Sequence, residues 1–153
     1  MIAAIRVRGT VNVSPQITTA LESLMLYKPN HLVLVNNDKG GKKMLEKVRD
    51  YVTFGEIGEA TLGKLLTKRA RLEGDERVTL EFLKGKKISG FEALAKQVLE
   101  GKVKLRDLGI KPVLRLHPPR KGHKRAGTKI QFSLGGALGD RGKEIDVLIA
   151  KMS

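Results

Sequence analysis

Cysteine is absent from the 153-residue chain, which excludes disulfides, thiolate catalysis and thiolate-bound metal. Aromatic residues are few, with Phe54, Phe82, Phe91, Phe132, Tyr27 and Tyr51 making up the whole set. No aromatic run of the kind used to stack bases is present, so a single-strand reader built on stacking platforms is disfavoured. No stretch approaches the roughly 18 consecutive apolar residues of a membrane span. The opening residues, MIAAIRVRGTVNV, place arginines where a signal peptide needs its apolar run, so a cytosolic location with no membrane partner is expected. Negative charge is scarce too. Against 30 Lys and Arg stand 16 Asp and Glu, leaving a net charge of +14. Between Leu108 and Leu138 there is no acidic residue at all, while seven Lys or Arg fall there.

What is present can be set against those absences. The chain is 41% apolar, enough for one domain or a small core with an appendage. A large positive excess makes a compact chain repel itself, and a polyanion removes that cost. Nucleic acid is the commonest such partner.

Hydrophobic spacing predicts a strand over Ile2 to Arg8, with Ala3, Ile5 and Val7 on one face and Arg6 and Arg8 on the other. Ser14 and Pro15 read as a helix start. Ile17, Leu21, Leu24 and Met25 form its apolar stripe, and Lys28-Pro29-Asn30 its end. HLVLV (31–35) reads as a buried strand, NNDKGGKK as a loop, and Met44, Leu45, Val48 and Val52 as a second amphipathic helix. VTFGEI (52–57) reads as a third strand. This order argues for an α+β fold, a small sheet with helices packed on one face. The rest is more helical. Leu62, Leu65, Leu66 and Ala70 form one stripe, Thr79 to Lys84 a short helix, and Ser89 with Glu92 a capping box ahead of another helix that Gly101 stops. PVLRLHPP reads as an edge strand, because Pro118 and Pro119 cannot donate to a ladder. Ile145, Leu148, Ile149 and Met152 mark a C-terminal helix.

The chemistry-bearing residues are cationic. Arg115, His117, Arg120, Lys121, His123, Lys124 and Arg125 crowd RLHPPRKGHKR, and Lys129 and Arg141 follow. Arg presents a planar fork to phosphate and Lys a mobile point charge, while the glycines let the backbone follow an irregular anionic surface. A charge run is ordinarily a solvated loop. This one has no compensating acids, which favours a nucleic-acid partner. Lys42 and Lys43 follow Gly40-Gly41 at the start of the second helix, where free amides suit a phosphate, although a glycine turn with exposed lysines explains them as well. The Walker spacing is missing there. Arg6, Arg8, Arg69 and Arg71 add further cationic patches. GGALGDRG lacks the dinucleotide-binding order, and a tight turn into the last helix accounts for its glycines. The histidines have no neighbouring carboxylates to complete a metal site, so no metal or cofactor is expected. Glu73, Asp75, Glu76 and Glu81 read as a solvated surface, and no catalytic constellation emerges.

Four segments together carry a resemblance: IRVRGTVNVSPQI, MLEKVRDYVTFGEI, LRLHPPRKGHKR and GGALGDRG. In this order they resemble the archaeal branch of the large-subunit ribosomal protein L-thirty family, related to eukaryotic L-seven. The resemblance spans nearly the whole chain. It implies a ferredoxin-like strand-helix-strand-helix-strand core over 1–57. A mainly helical extension over 58–153 would carry a basic Gly/Pro-rich RNA-binding segment at 108–142. It also implies a structural, non-catalytic role on large-subunit ribosomal RNA, with 5S RNA nearby, neighbouring ribosomal proteins as partners and no small-molecule substrate. By position, Arg6 and Arg8 are the implied first contacts, and RLHPPRKGHKR supplies the rest. HKRAGTK is more basic than the family's pattern. Two other readings stand beside this one: a free RNA chaperone or processing factor, and an enzyme whose cationic loops hold phosphorylated metabolites.

Overall fold

The computed structural model spans residues 1–153 and describes all of them except Lys87, Lys124 and Arg125. Its centre is β1 (Ile2–Arg6), buried at all five positions. The strand pairs antiparallel with β2 (His31–Val35) on one side and β3 (Val52–Glu56) on the other. Burial on both sides follows from alternation. Ile2 and Ala4 join one apolar layer and Ala3 and Ile5 the other. The first layer is closed by α1 (Pro15–Ser23) and α2 (Lys39–Lys47), through Ala20, Leu21, Leu45 and the following Val48. The second is closed by α3 (Glu59–Arg69), α4 (Leu80–Gly85), α5 (Phe91–Leu99) and α6 (Ile145–Met152). α1 and α2 thus share one face of the sheet, and the later helices cover the other. Leu62, Leu65 and Leu66 of α3 are wholly buried against Leu94, Ala95 and Val98 of α5. Burying each such leucine stabilises the fold by about 1.5–3 kcal/mol, and cutting Leu65 back to alanine would cost about 2–5 kcal/mol.

Local chemistry explains where the elements start and stop. Ser14 is extended (φ −63, ψ 146) ahead of Pro15, and its carbonyl takes the Thr18 amide at 3.0 Å, although its side chain makes no cap bond. α1 ends at Ser23, earlier than the Lys28-Pro29 signal. Met25 turns left-handed (φ 58), with its amide on the Glu22 carbonyl and the Leu26 amide on the Leu21 carbonyl. That pair of bonds is a Schellman closure. The stretch read as a loop, KGGKK, is already the start of α2, because the Asp38 carboxylate accepts the Gly41 amide at 2.9 Å and caps the helix. The Ser89/Glu92 capping box does not form. Gly90 takes the cap position, so the serine-to-glutamate spacing is out of step by one residue. Gly101 stops α5 with φ 74, as its sequence position suggested.

The sheet has the order β4-β2-β1-β3-β5. β4 (Val113–Arg115) lies antiparallel on β2, bounded by Pro112 and by Pro118-Pro119. β5 (Gly139–Asp140) runs parallel to β3, and the Thr53 hydroxyl donates to the Gly139 carbonyl at 3.1 Å. The GGALGDRG stretch is therefore an edge strand as well as a lead into α6. Both edges of the sheet come from chain beyond residue 57.

Candidate nucleic-acid interface

Strand register fixes which ends lie together. Arg6 pairs with Val52, Ile5 with Leu32, His31 with Arg115 and Thr53 with Gly139. The last residues of β1 and β4 and the first residues of β2, β3 and β5 therefore share one end of the sheet. The segment between Arg115 and Gly139, free of acidic residues, crosses from one sheet edge to the other along that end. It is pinned to the protein by its backbone. The Leu116 amide donates to the Asn30 carbonyl at 3.0 Å, and the His117 and Arg120 amides donate to the Met152 and Lys151 carbonyls, each at 3.0 Å. The last carbonyls of α6, which have no partner within the helix, are thereby satisfied. At Lys121 and Gly122 the chain is left-handed (φ 66 and 71) and makes a tight turn closed by the Gly122 amide on the Pro119 carbonyl at 2.9 Å. His117, Arg120, Lys121 and Lys129 are exposed along it. Lys124 and Arg125 lie outside the described residues.

Three of the predicted contacts are placed differently from an exposed phosphate ligand. Arg6 is 4% exposed. Its Nη1 donates to the carbonyls of Leu26 (2.7 Å) and Tyr27 (3.1 Å), its Nε to that of Arg8 (3.0 Å) and its Nη2 to that of Gly9 (2.8 Å). Burial pushes its pKa down, and the Tyr51 hydroxyl acts the other way. Alternation put Arg6 on the same face as Arg8, but the chain between α1 and β2 folds over that face and turns its carbonyls inward. Arg8 remains half-exposed, its guanidinium 4.7 Å from the Tyr51 ring centroid and its Nη1 on the Asp50 carbonyl at 3.3 Å. Arg141 is a brace. Its Nε donates to the Thr53 hydroxyl (2.8 Å) and its Nη2 to the Ala137 carbonyl (2.9 Å), with the guanidinium over Phe132 at 4.5 Å. Burial lowers its pKa, and Glu144 opposes that. His123 is half-buried with its Nδ1 enclosed and unpartnered, and burial followed by Arg141 holds its pKa below the usual value.

Lys42 and Lys43 are exposed on α2, but they stand at the opposite end of the sheet, where Ile2 pairs with Val35 and Glu56. Of the amides expected to welcome a phosphate there, that of Gly41 is taken by the Asp38 carboxylate. An added Cβ at Gly41 would sit 2.6 Å from the Asn36 carbonyl oxygen and 2.7 Å from Asp38 Oδ1, so this glycine serves a close approach within the protein. Arg69, Arg71 and Arg115 do come together. The end of α3, the residues after it and the end of β4 wall a cleft that they share with Asp75.

A model of the family described as Ribosomal protein L30p/L7e matches residues 2–52. A protein named large ribosomal subunit protein uL30 from Methanococcus maripaludis is 46% identical over 150 residues, covering 98% of this chain and 97% of that one. Its namesake from Nanoarchaeum equitans is 45% identical over 97% of this chain and 96% of its own length. The one from Methanocella arvoryzae is 45% identical over 99% of both. The chain belongs to the L30p/L7e family of ribosomal proteins.

The matched region holds β1, α1, β2, α2 and the first residue of β3, with Arg6, Arg8, Lys42 and Lys43. The cationic crossing segment falls outside it, in the part shared with the full-length archaeal relatives. Two members of the cluster at the β4 edge were not legible in the sequence: Lys111, and Asp75 as its ion-pair partner. The Lys111 ammonium lies 2.5 Å from Asp75 Oδ1, and Arg115 Nη1 lies 3.0 Å from Oδ2. The partners are 36 and 40 positions apart, with no local spacing to announce them. Among the described residues no group of three or more carboxylates and histidines could hold a metal, and no helix is long and apolar enough to cross a membrane.

Proposed function

We propose that this chain is a structural component of the large ribosomal subunit, which grips ribosomal RNA with the cationic end of its sheet. The observation that carries the reading is the convergence of five strand ends, together with the acid-free segment that crosses them, in a member of the L30p/L7e family. RNA neutralises the repulsion among these cations, and counterion release offsets the cost of ordering long side chains. The contacts are Arg8, Arg69, Arg71, Arg115, His117, Arg120, Lys121 and Lys129, with Lys124 and Arg125 between them in sequence. Arg6, His123 and Arg141 act from inside, by holding the loops that carry those contacts. Lys42 and Lys43 at the far end touch a second RNA strand or a neighbouring ribosomal protein. Residues 1–57 form the core, and 58–153 an extension that completes the core's sheet and supplies most of the RNA surface. The proposal includes 5S RNA as a near neighbour. With few aromatics available, recognition runs through backbone shape more than through base stacking.

The test is sedimentation of the tagged protein from a native lysate through sucrose at moderate and high salt. Comigration with the large subunit through a high-salt wash is expected. Recovery at the top of the gradient, free of RNA, would defeat the reading.

A further inference from the structure

We infer that the cleft walled by Arg69, Arg71 and Arg115 seats one phosphodiester group of RNA, and that Asp75 occupies this seat while the protein is free of RNA. This rests on the RNA-binding reading above and adds to it a defined subsite with a built-in competitor.

The cleft joins parts of the chain that have no structural need to meet as like charges. Arg69 ends α3 and Arg115 ends β4. Arg71 sits opposite Arg77 in an antiparallel bridge, where like charges face each other unfavourably. Arg69 Nε is enclosed and has no hydrogen-bond acceptor, and among the described residues no ion pair engages Arg69 or Arg71. The positive groups thus outnumber the one carboxylate that Asp75 brings to them. That carboxylate spends one oxygen on Lys111 and the other on Arg115. Its pKa is held down by the Lys111 hydrogen bond first and the Arg115 charge next.

Asp75 is half-exposed and rides on a hairpin tip, with φ 100 at Gly74 and φ 69 at Asp75. The tip is fixed by the Asp75 amide on the Leu72 carbonyl (3.0 Å) and the Leu72 amide on the Glu76 carbonyl (2.9 Å). Its side chain can leave the cleft by a change of rotamer alone. A phosphodiester entering in its place brings two anionic oxygens, which match the arginine fork. Set deeper than a carboxylate on the rim, it meets Arg69 and Arg71 as well as Arg115. The charge pairing then passes from Asp75 to RNA, and the isolated carboxylate is left to solvent at the rim.

The experiment compares wild type, Asp75→Asn and the double variant Arg69→Gln with Asp75→Asn, all checked by circular dichroism to be folded at the assay temperature. Affinity is measured for protein-free large-subunit RNA. Inorganic phosphate is titrated separately while the arginine Nε–Hε resonances are followed. Asp75→Asn is expected to tighten RNA binding roughly three- to tenfold, as an exposed competing ion pair is removed. It should also lower the phosphate concentration that moves the Arg71 and Arg115 resonances, and the double variant should lose both gains. Wild type that binds RNA while Asp75→Asn binds equally or more weakly would overturn the inference and leave the parent reading standing. Wild type with no affinity for the RNA would overturn both.

Discussion

Arg6 donates through Nη1 to the carbonyl of Leu26 at 2.7 Å, although twenty positions separate the two residues. The bond ties the end of the central strand to the chain leaving α1, and the other guanidinium nitrogens hold Arg8 and Gly9. A residue that looks from sequence like a surface phosphate contact is a buried clasp. Removing it leaves several carbonyls without a donor. Arg6→Ala is expected to lower the unfolding free energy by about 2–4 kcal/mol. Arg6→Lys should lose nearly as much, since an ammonium cannot fork to four carbonyls. Urea denaturation followed by circular dichroism measures this. A change within experimental error would mean that the clasp adds nothing to the stability of the fold.

Gly55 tests the junction of β3 with the extension. A Cβ there would overlap the Gly142 carbonyl oxygen and press on Ile145. Gly55→Ala is therefore expected to destabilise by about 3 kcal/mol. In a chain of this size that lowers Tm by roughly 6–12 °C. Gly85→Ala meets open space and should melt within a degree or so of wild type. Equal melting of both variants would mean that the extension does not pack as described.

The two ends of the sheet should differ in RNA binding. Arg120→Ala with Lys121→Ala is expected to weaken binding and to reduce the salt slope by about 1–2, at roughly 0.7–0.9 per lost phosphate contact. Its melt should match wild type, because both side chains are exposed. Lys42→Ala with Lys43→Ala, at the far end, should change the slope less. Filter binding across a salt series decides, and a larger effect from the α2 pair would move the main contact surface to the opposite end.

Stability should depend on pH near neutrality. His31 and His123 both have pKa values pushed below the ordinary 6.5. For His31 the cause is burial first, then the charges of Arg115, Lys28 and Arg6. For His123 it is burial, then Arg141. As pH falls through 6.5 the unfolded chain takes these protons first, so stability is full above that value and declines below it. His123→Gln is expected to flatten part of that decline. Asp75 acts in the other carboxylate window, since its contribution is lost only as pH falls below its ordinary 3.8. Urea midpoints measured between about pH 5 and pH 8, unchanged across the range, would mean that neither histidine resists protonation in the folded protein.

Much of the architecture was legible because its causes are local. The alternation of β1, the stripes of α3 and α5 and the proline bounds of β4 each lie within a dozen residues. What escaped was set by distant chain. β5 is two residues long, too short to alternate, and exists because Thr53 and Phe54 are there to pair with it. Arg6 was assigned to the right face, but the carbonyls that bury it belong to residues 26 and 27. Asp38 caps α2 two residues ahead of the glycines that drew attention. In the interface the cationic crossing segment was visible from charge alone, whereas the meeting of Asp75 with Lys111 and Arg115 depends on tertiary contact.

The placement of the two edge strands has a consequence for synthesis. β3 leaves the translating ribosome roughly 80 residues ahead of β5, and β2 waits nearly 80 for β4. Throughout that interval β2 and β3 each show a bare row of amides and carbonyls, an invitation to pair with another nascent copy. Closure must wait for chain that arrives late, and such long-range pairing is intrinsically slow. Through residue 112, before either edge strand has emerged, the chain already carries 21 Lys and Arg against 13 Asp and Glu. This surplus of +8 has work to do during the delay. Before any RNA is met, mutual repulsion keeps two unfinished copies from zipping together edge to edge.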